Sequence, residues 1–219
     1  DPLDYSHTIN PLGLSTDQFL RSSLSVTDHK FMTTNSDTLN FHSNTILGGW
    51  IYLNPDVPNN NMRTIVSNKD SGCDASVRRN GFAMFINSWL GKDLKVYIEY
   101  GNTQSGCNKI TSLSSIEIGK WTHIAALVAK TSIKIFINGV ESGGVDLGTT
   151  THGIMSQTSS ELRLGHYNEI DNGDLYSLDG NISTFTVVTY DDTSTSAGKS
   201  HIDSIMSTIQ DINKVRLQP

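Results

Sequence analysis

The chain has 219 residues, enough for one large all-β sandwich to bury its own core without a metal or a framework of disulfides. Hydrophobic residues make up 36% and charged residues 17%, and Ser, Thr, Asn and Gly fill the balance; this suits short strands joined by polar turns and argues against a coiled coil or helical bundle. With 16 basic and 22 acidic residues the net charge is −6, and Arg78-Arg79 is the only adjacent basic pair, so nucleic acid and acidic lipid surfaces are disfavoured as partners.

No stretch approaches eighteen consecutive apolar residues, so membrane insertion by a helix of this segment is not expected. The chain starts at Asp1 rather than Met, which reads as a mature or excised piece of a longer polypeptide whose targeting segment has been removed.

Residues 1–20 carry Pro2 and Pro11 with no sustained period and are expected to be an irregular N-terminal segment. Strands are then predicted at about 22–27, 30–34, 45–53, 63–68, 81–87, 93–101, 122–129, 132–138, 161–165 and 181–190. Alternation is clear in two of them. Leu94, Val96, Ile98 and Tyr100 share one face, as do Ile133, Ile135 and Ile137, which is the period-two signature of a half-buried strand. The separators are turn chemistry, including Asn80-Gly81, Asn138-Gly139, Asn172-Gly173 and Asp179-Gly180, because Gly and Asn tolerate the positive φ of tight turns. About ten short strands without intervening helices imply two packed antiparallel sheets.

The last segment changes period. Ile202, Ile205, Met206, Ile209 and Ile212 recur at helical spacing, and Ser200 with Asp203 resembles a capping box. The spacing predicts a C-terminal α-helix over 200–213 packed on the sandwich, the whole of 1–219 forming a single domain.

Four local patterns, in order, resemble the laminin G-like and concanavalin A-like jelly rolls. They are Leu47-Gly48-Gly49-Trp50-Ile51-Tyr52-Leu53; Gly81-Phe82-Ala83-Met84-Phe85-Ile86; Gly119-Lys120-Trp121-Thr122-His123-Ile124-Ala125 followed by Ile133 to Gly139; and Leu162-Arg163-Leu164-Gly165 followed by Leu178-Asp179-Gly180-Asn181-Ile182. The third is the most specific. The resemblance spans Ile46 to Tyr190 and implies an all-β, two-sheet antiparallel jelly-roll sandwich. It also implies a habit: lectin-like or adhesive binding of carbohydrate or protein ligands on a cell or matrix surface through loops at one rim, with Ca²⁺ held there in many members. Trp121 is expected to point inward and fill space between the sheets.

The segment His166–Asp179 holds the densest set of candidate ligand-binding groups: Tyr167, Glu169, Asp171, Asp174, Tyr176 and Asp179. Carboxylates suit Ca²⁺ or sugar hydroxyls, and aromatic rings suit sugar faces. Glu169-Ile170-Asp171-Asn172-Gly173-Asp174 also resembles the paired-carboxylate run of laminarinase-type glycoside hydrolases. Here, however, the second acid is the shorter Asp, and Asn172-Gly173 is a turn signal where a strand is required, so the expectation is a binding module and not an enzyme, with a hydrolase or lyase, or a structural domain of a larger surface protein, as the alternatives.

Gly198-Lys199-Ser200 ends like a phosphate-binding loop but lacks its first glycine, Thr193 standing there. The seven histidines form neither HxH nor HExxH. Cys73 and Cys107 each follow a Ser-Gly pair and flank the open base of a predicted 81–87/93–101 hairpin, where their sulfurs can meet. With the extracellular setting the resemblance implies, a disulfide is expected.

Overall fold

The computed structural model describes residues 24–26, 32–34, 44–69, 81–102, 106–128, 132–146, 162–167 and 176–190. Twelve strands lie among them: β1 (Leu24–Val26), β2 (Met32–Thr34), β3 (Asn44–Leu53), β4 (Arg63–Ser67), β5 (Gly81–Ile86), β6 (Lys95–Asn102), β7 (Gly106–Ser115), β8 (Thr122–Val128), β9 (Ser132–Ile137), β10 (Val140–Asp146), β11 (Leu162–Leu164) and β12 (Gly180–Tyr190). They form two six-stranded antiparallel sheets. Sheet A runs β1-β12-β3-β8-β9-β10 and sheet B runs β2-β11-β4-β5-β6-β7.

The sheets meet through one core. Sheet A contributes Leu47, Ile51, Ile124, Ala126, Ile133, Ile135, Ile182 and Phe185; sheet B contributes Ile65, Phe82, Met84, Ile86, Val96, Ile98, Tyr100 and Leu164. The alternating sets of the sequence fall as expected. Val96, Ile98 and Tyr100 are buried with Leu94 packed against them, and Ile133 and Ile135 are buried with Ile137 alongside. The 81–87/93–101 hairpin is present, in register from Gly81↔Gly101 to Ile86↔Val96. The predicted 200–213 helix, the 1–20 segment and Cys73 lie outside the described residues.

Two strands had no strong sequence signal. β7 and β10 are edge strands, and their residues are polar or glycine where a central strand would be apolar. β10 follows β9 through Asn138-Gly139, whose φ of 53° and 78° are those of a type I′ turn. The two edges then close against each other: Ser114 N donates to Ser142 Oγ at 3.1 Å, and the two hydroxyls are 2.6 Å apart. Closure of this kind removes a pair of aggregation-prone edges.

Trp121 departs from expectation. It precedes β8 on the same parity as His123, which points away from the core, so it lies half-buried against Tyr52, centroids 5.6 Å apart, and not between the sheets.

Candidate functional site

The face of sheet B turned away from the core is unusual for a sandwich. Directly opposed residues in a ladder share a face. One row therefore crosses five strands as Arg163, Ser67, Ala83, Glu99 and Lys109, and the next crosses four as Thr64, Phe85, Tyr97 and Thr111. A solvated face would be polar throughout, but this one has an apolar floor of Met62, Ala83, Phe85 and Tyr97.

The rings of Phe85 and Tyr97 stack at 5.7 Å with a 9° interplanar angle. The Lys109 ammonium stands over both, 5.8 and 5.9 Å from their centroids, which is cation–π geometry. Lys109 Nζ also lies 3.1 Å from Glu99 Oε1, and the Tyr167 hydroxyl donates to Glu99 Oε2 at 3.2 Å. Glu99 is thus a buried carboxylate fixed from two sides, while the exposed ammonium, with three donors, keeps donors for a ligand. At the end of the face the Tyr97 hydroxyl donates to Asp93 Oδ2 at 2.5 Å. Burial first, and then this bond and the Asp93 charge, hold the Tyr97 phenol above its ordinary value. Thr64 Oγ1 is buried in the same face with no hydrogen-bond partner.

The residues singled out in the sequence fall into three groups. Tyr167 and Tyr176 come together, edge to face at 5.9 Å, and both are buried in the cluster that includes Phe85 and Tyr97. They wall the face rather than presenting open rings. Asp179 is placed elsewhere: it pairs with Arg63, whose guanidinium also donates to the Pro58 carbonyl, at the mouth of the β3–β4 loop. Burial lowers the Arg63 pKa. Glu169, Asp171 and Asp174 lie outside the described residues, and of Cys107 only the backbone, in β7, is described. Among the described residues no three His, Cys, Asp or Glu side chains gather closely enough to hold a metal ion.

Phe85, Tyr97, Glu99 and Lys109 were not singled out in the sequence. A signal was present: Gly81-Phe82-Ala83-Met84-Phe85-Ile86 is a continuous apolar run, which marks a strand covered on both faces.

The profile of one family matches residues 27–196. The chain belongs to the concanavalin A-like lectin/glucanases superfamily. Among solved structures, the CBM40 domain of the Ruminococcus gnavus IT-sialidase bound to α2,3-sialyllactose aligns with this superfamily member over 85% of this chain and 96% of that one, at 13% identity and TM-score 0.62. The binding domain of botulinum neurotoxin serotype D aligns over 81% of this chain and 39% of that one, at 12% identity and TM-score 0.54. NanB sialidase from Streptococcus pneumoniae aligns over 78% of this chain and 26% of that one, at 16% identity and TM-score 0.56. At these identities the likeness is one of fold. No curated protein matches the chain in sequence.

Proposed function

We propose that this chain is a non-catalytic, extracellular glycan-binding module, and that a sialylated glycan sits on the outer face of sheet B. The observation that carries the proposal is the Phe85–Tyr97–Glu99–Lys109 constellation. It holds an exposed ammonium over two stacked, buried rings and against a buried carboxylate on a rigid sheet, which presents a positioned cation to a ligand that carries a carboxylate. Lys109, exposed at the end of its row, can donate to that carboxylate, and the exposed Asp93 can accept from sugar hydroxyls. Support from outside the chain comes from the superfamily and from a CBM40 neighbour that holds sialyllactose.

Isothermal titration with α2,3-sialyllactose tests this. Binding by the wild type is expected, with a loss of about tenfold or more in Lys109→Ala, the effect of removing a charge-assisted hydrogen bond. Absence of binding by the wild type, or unchanged binding by Lys109→Ala, refutes the site. Release of reducing sugar from β-glucans or sialosides, abolished by Glu169→Gln, would replace the binding module with a hydrolase.

A further inference from the structure

The β5–β6 hairpin ends in a turn, residues 87–94, that leaves Trp89 and Leu90 64% and 65% exposed. A solvated turn needs neither side chain. Nor is this turn loose. Asn87 N donates to the Lys95 carbonyl at 2.9 Å, and Gly91 N to the Ser88 carbonyl at 2.7 Å. The Asn87 amide bonds Asn59 Oδ1 at 2.5 Å and the Asn61 carbonyl at 2.9 Å, and Leu94 N donates back to Asn87 Oδ1 at 2.7 Å. Leu90 N donates to Asn61 Oδ1 at 3.2 Å.

The backbone is also strained. Leu90 and Leu94 both sit at φ 56°, in the left-handed region that a leucine enters only when its surroundings impose it. The chain thus holds an indole and an isobutyl group in water on a stiff, costly loop, which is how a preorganised contact surface is built.

The loop is continuous with the face described above. Asp93, at the end of the turn, accepts from the Tyr97 hydroxyl of that face. The turn and the β3–β4 loop bonded to it also carry exposed polar groups, Asn60, Lys92 and Asp93, with Asn59 partly exposed and donating to the Lys92 carbonyl at 3.3 Å. A pyranose ring has one C–H face and a rim of hydroxyls, and it matches an exposed indole on a turn that also carries an exposed ammonium and carboxylate. A bilayer would have to meet Asp93 and a chain of net charge −6.

We infer that Trp89 stacks on a second, neutral pyranose ring of the glycan held on sheet B, so that the module reads at least two sugars. This deepens the glycan-binding proposal and rests on it.

The test compares α2,3-sialyllactose with free sialic acid on wild type, Trp89→Ala and Trp89→Phe by isothermal titration. Trp89→Ala is expected to weaken the trisaccharide about tenfold or more while leaving free sialic acid within about twofold, and Trp89→Phe is expected to retain most of the trisaccharide affinity. Saturating trisaccharide is also expected to protect wild-type fluorescence from acrylamide, because Trp50 is buried, Trp121 is half-buried and Trp89 is the exposed indole. Unchanged trisaccharide affinity in Trp89→Ala, or an equal loss for both sugars, overturns the stacking role alone. So does sedimentation of the wild type with phosphatidylserine vesicles that Trp89→Ala abolishes. Binding of neither sugar by the wild type overturns both this inference and the function on which it rests.

Discussion

Replacing His123 with Phe isolates one titration from all the carboxylates of the chain. His123 lies on the outer side of β8, buried, with its ring edge-on to Trp50 at 5.3 Å and 77° and no partner for Nδ1. Its backbone is held by Asn138, whose Oδ1 accepts from His123 N at 2.9 Å and whose N donates to the His123 carbonyl at 2.8 Å. Burial penalises the imidazolium and pushes the pKa from 6.5 down to about 4. Between those values the unfolded chain binds more protons than the folded one, so acidification favours unfolding.

The stability at stake is present above pH 6.5, falls as the pH drops through it, and is fully lost below about pH 4; a shift of this size corresponds to about 3 kcal/mol. By pH 5 the loss is about 2 kcal/mol. Urea unfolding followed by circular dichroism at about pH 7.5 and pH 5 reads this directly. The wild type is expected to lose about 2 kcal/mol more than His123→Phe over that interval. Parallel losses in the two proteins would mean that the ring is hydrated in the folded state, and the reasoning would fail.

Gly48→Ala places a methyl group 2.6 Å from the Ala125 Cα and 2.7 Å from its Cβ on the adjoining strand; a loss of about 1–3 kcal/mol in urea unfolding is expected, and a neutral result would mean the strands can part. Asp179→Asn leaves the buried Arg63 guanidinium with the Pro58 carbonyl in place of its carboxylate, for an expected loss of about 1–3 kcal/mol. We propose that the Ile202–Ile212 stripe docks on the sandwich; truncation after Lys199 is then expected to lower Tm by about 5 °C or more, and an unchanged melt would make the segment a free tail. Thiol titration of the denatured, unreduced protein is expected to find neither Cys73 nor Cys107 free; two free thiols would remove the bridge and weaken the case for an extracellular setting.

What the sequence revealed divides along burial. Central strands such as β6 and β9 send alternate residues into the core between the sheets, so their periods survive intact in Val96, Ile98 and Tyr100 and in Ile133 and Ile135. The edge strands β7 and β10 each form a ladder with one strand only and meet each other through serines, and a bulge between Glu141 and Gly144 breaks the period further. The outer face of sheet B was harder to read for a different reason. It is assembled by register across β11, β4, β5, β6 and β7, so Arg163 and Lys109, 54 positions apart, belong to one row that no local window contains. Tyr167 and Tyr176 were visible as aromatic residues near carboxylates, but sequence spacing carries no information on whether a ring faces water or a neighbouring ring.

The pairing of β3 constrains how the protein can be made. One edge of β3 takes β8, and the other takes β12, whose last residue is Tyr190. As the chain emerges from a ribosome or a secretion channel, β3 appears early and gains β8 midway, but its second edge stays open until almost the whole described chain has arrived. During that interval a strand carrying Ile46, Leu47, Trp50 and Ile51 offers its free hydrogen-bonding edge to any neighbour. Synthesis that stalls between β8 and β12 therefore releases a species poised to pair with another copy of itself, and fast completion or a bound chaperone is what keeps the route to the native sandwich open.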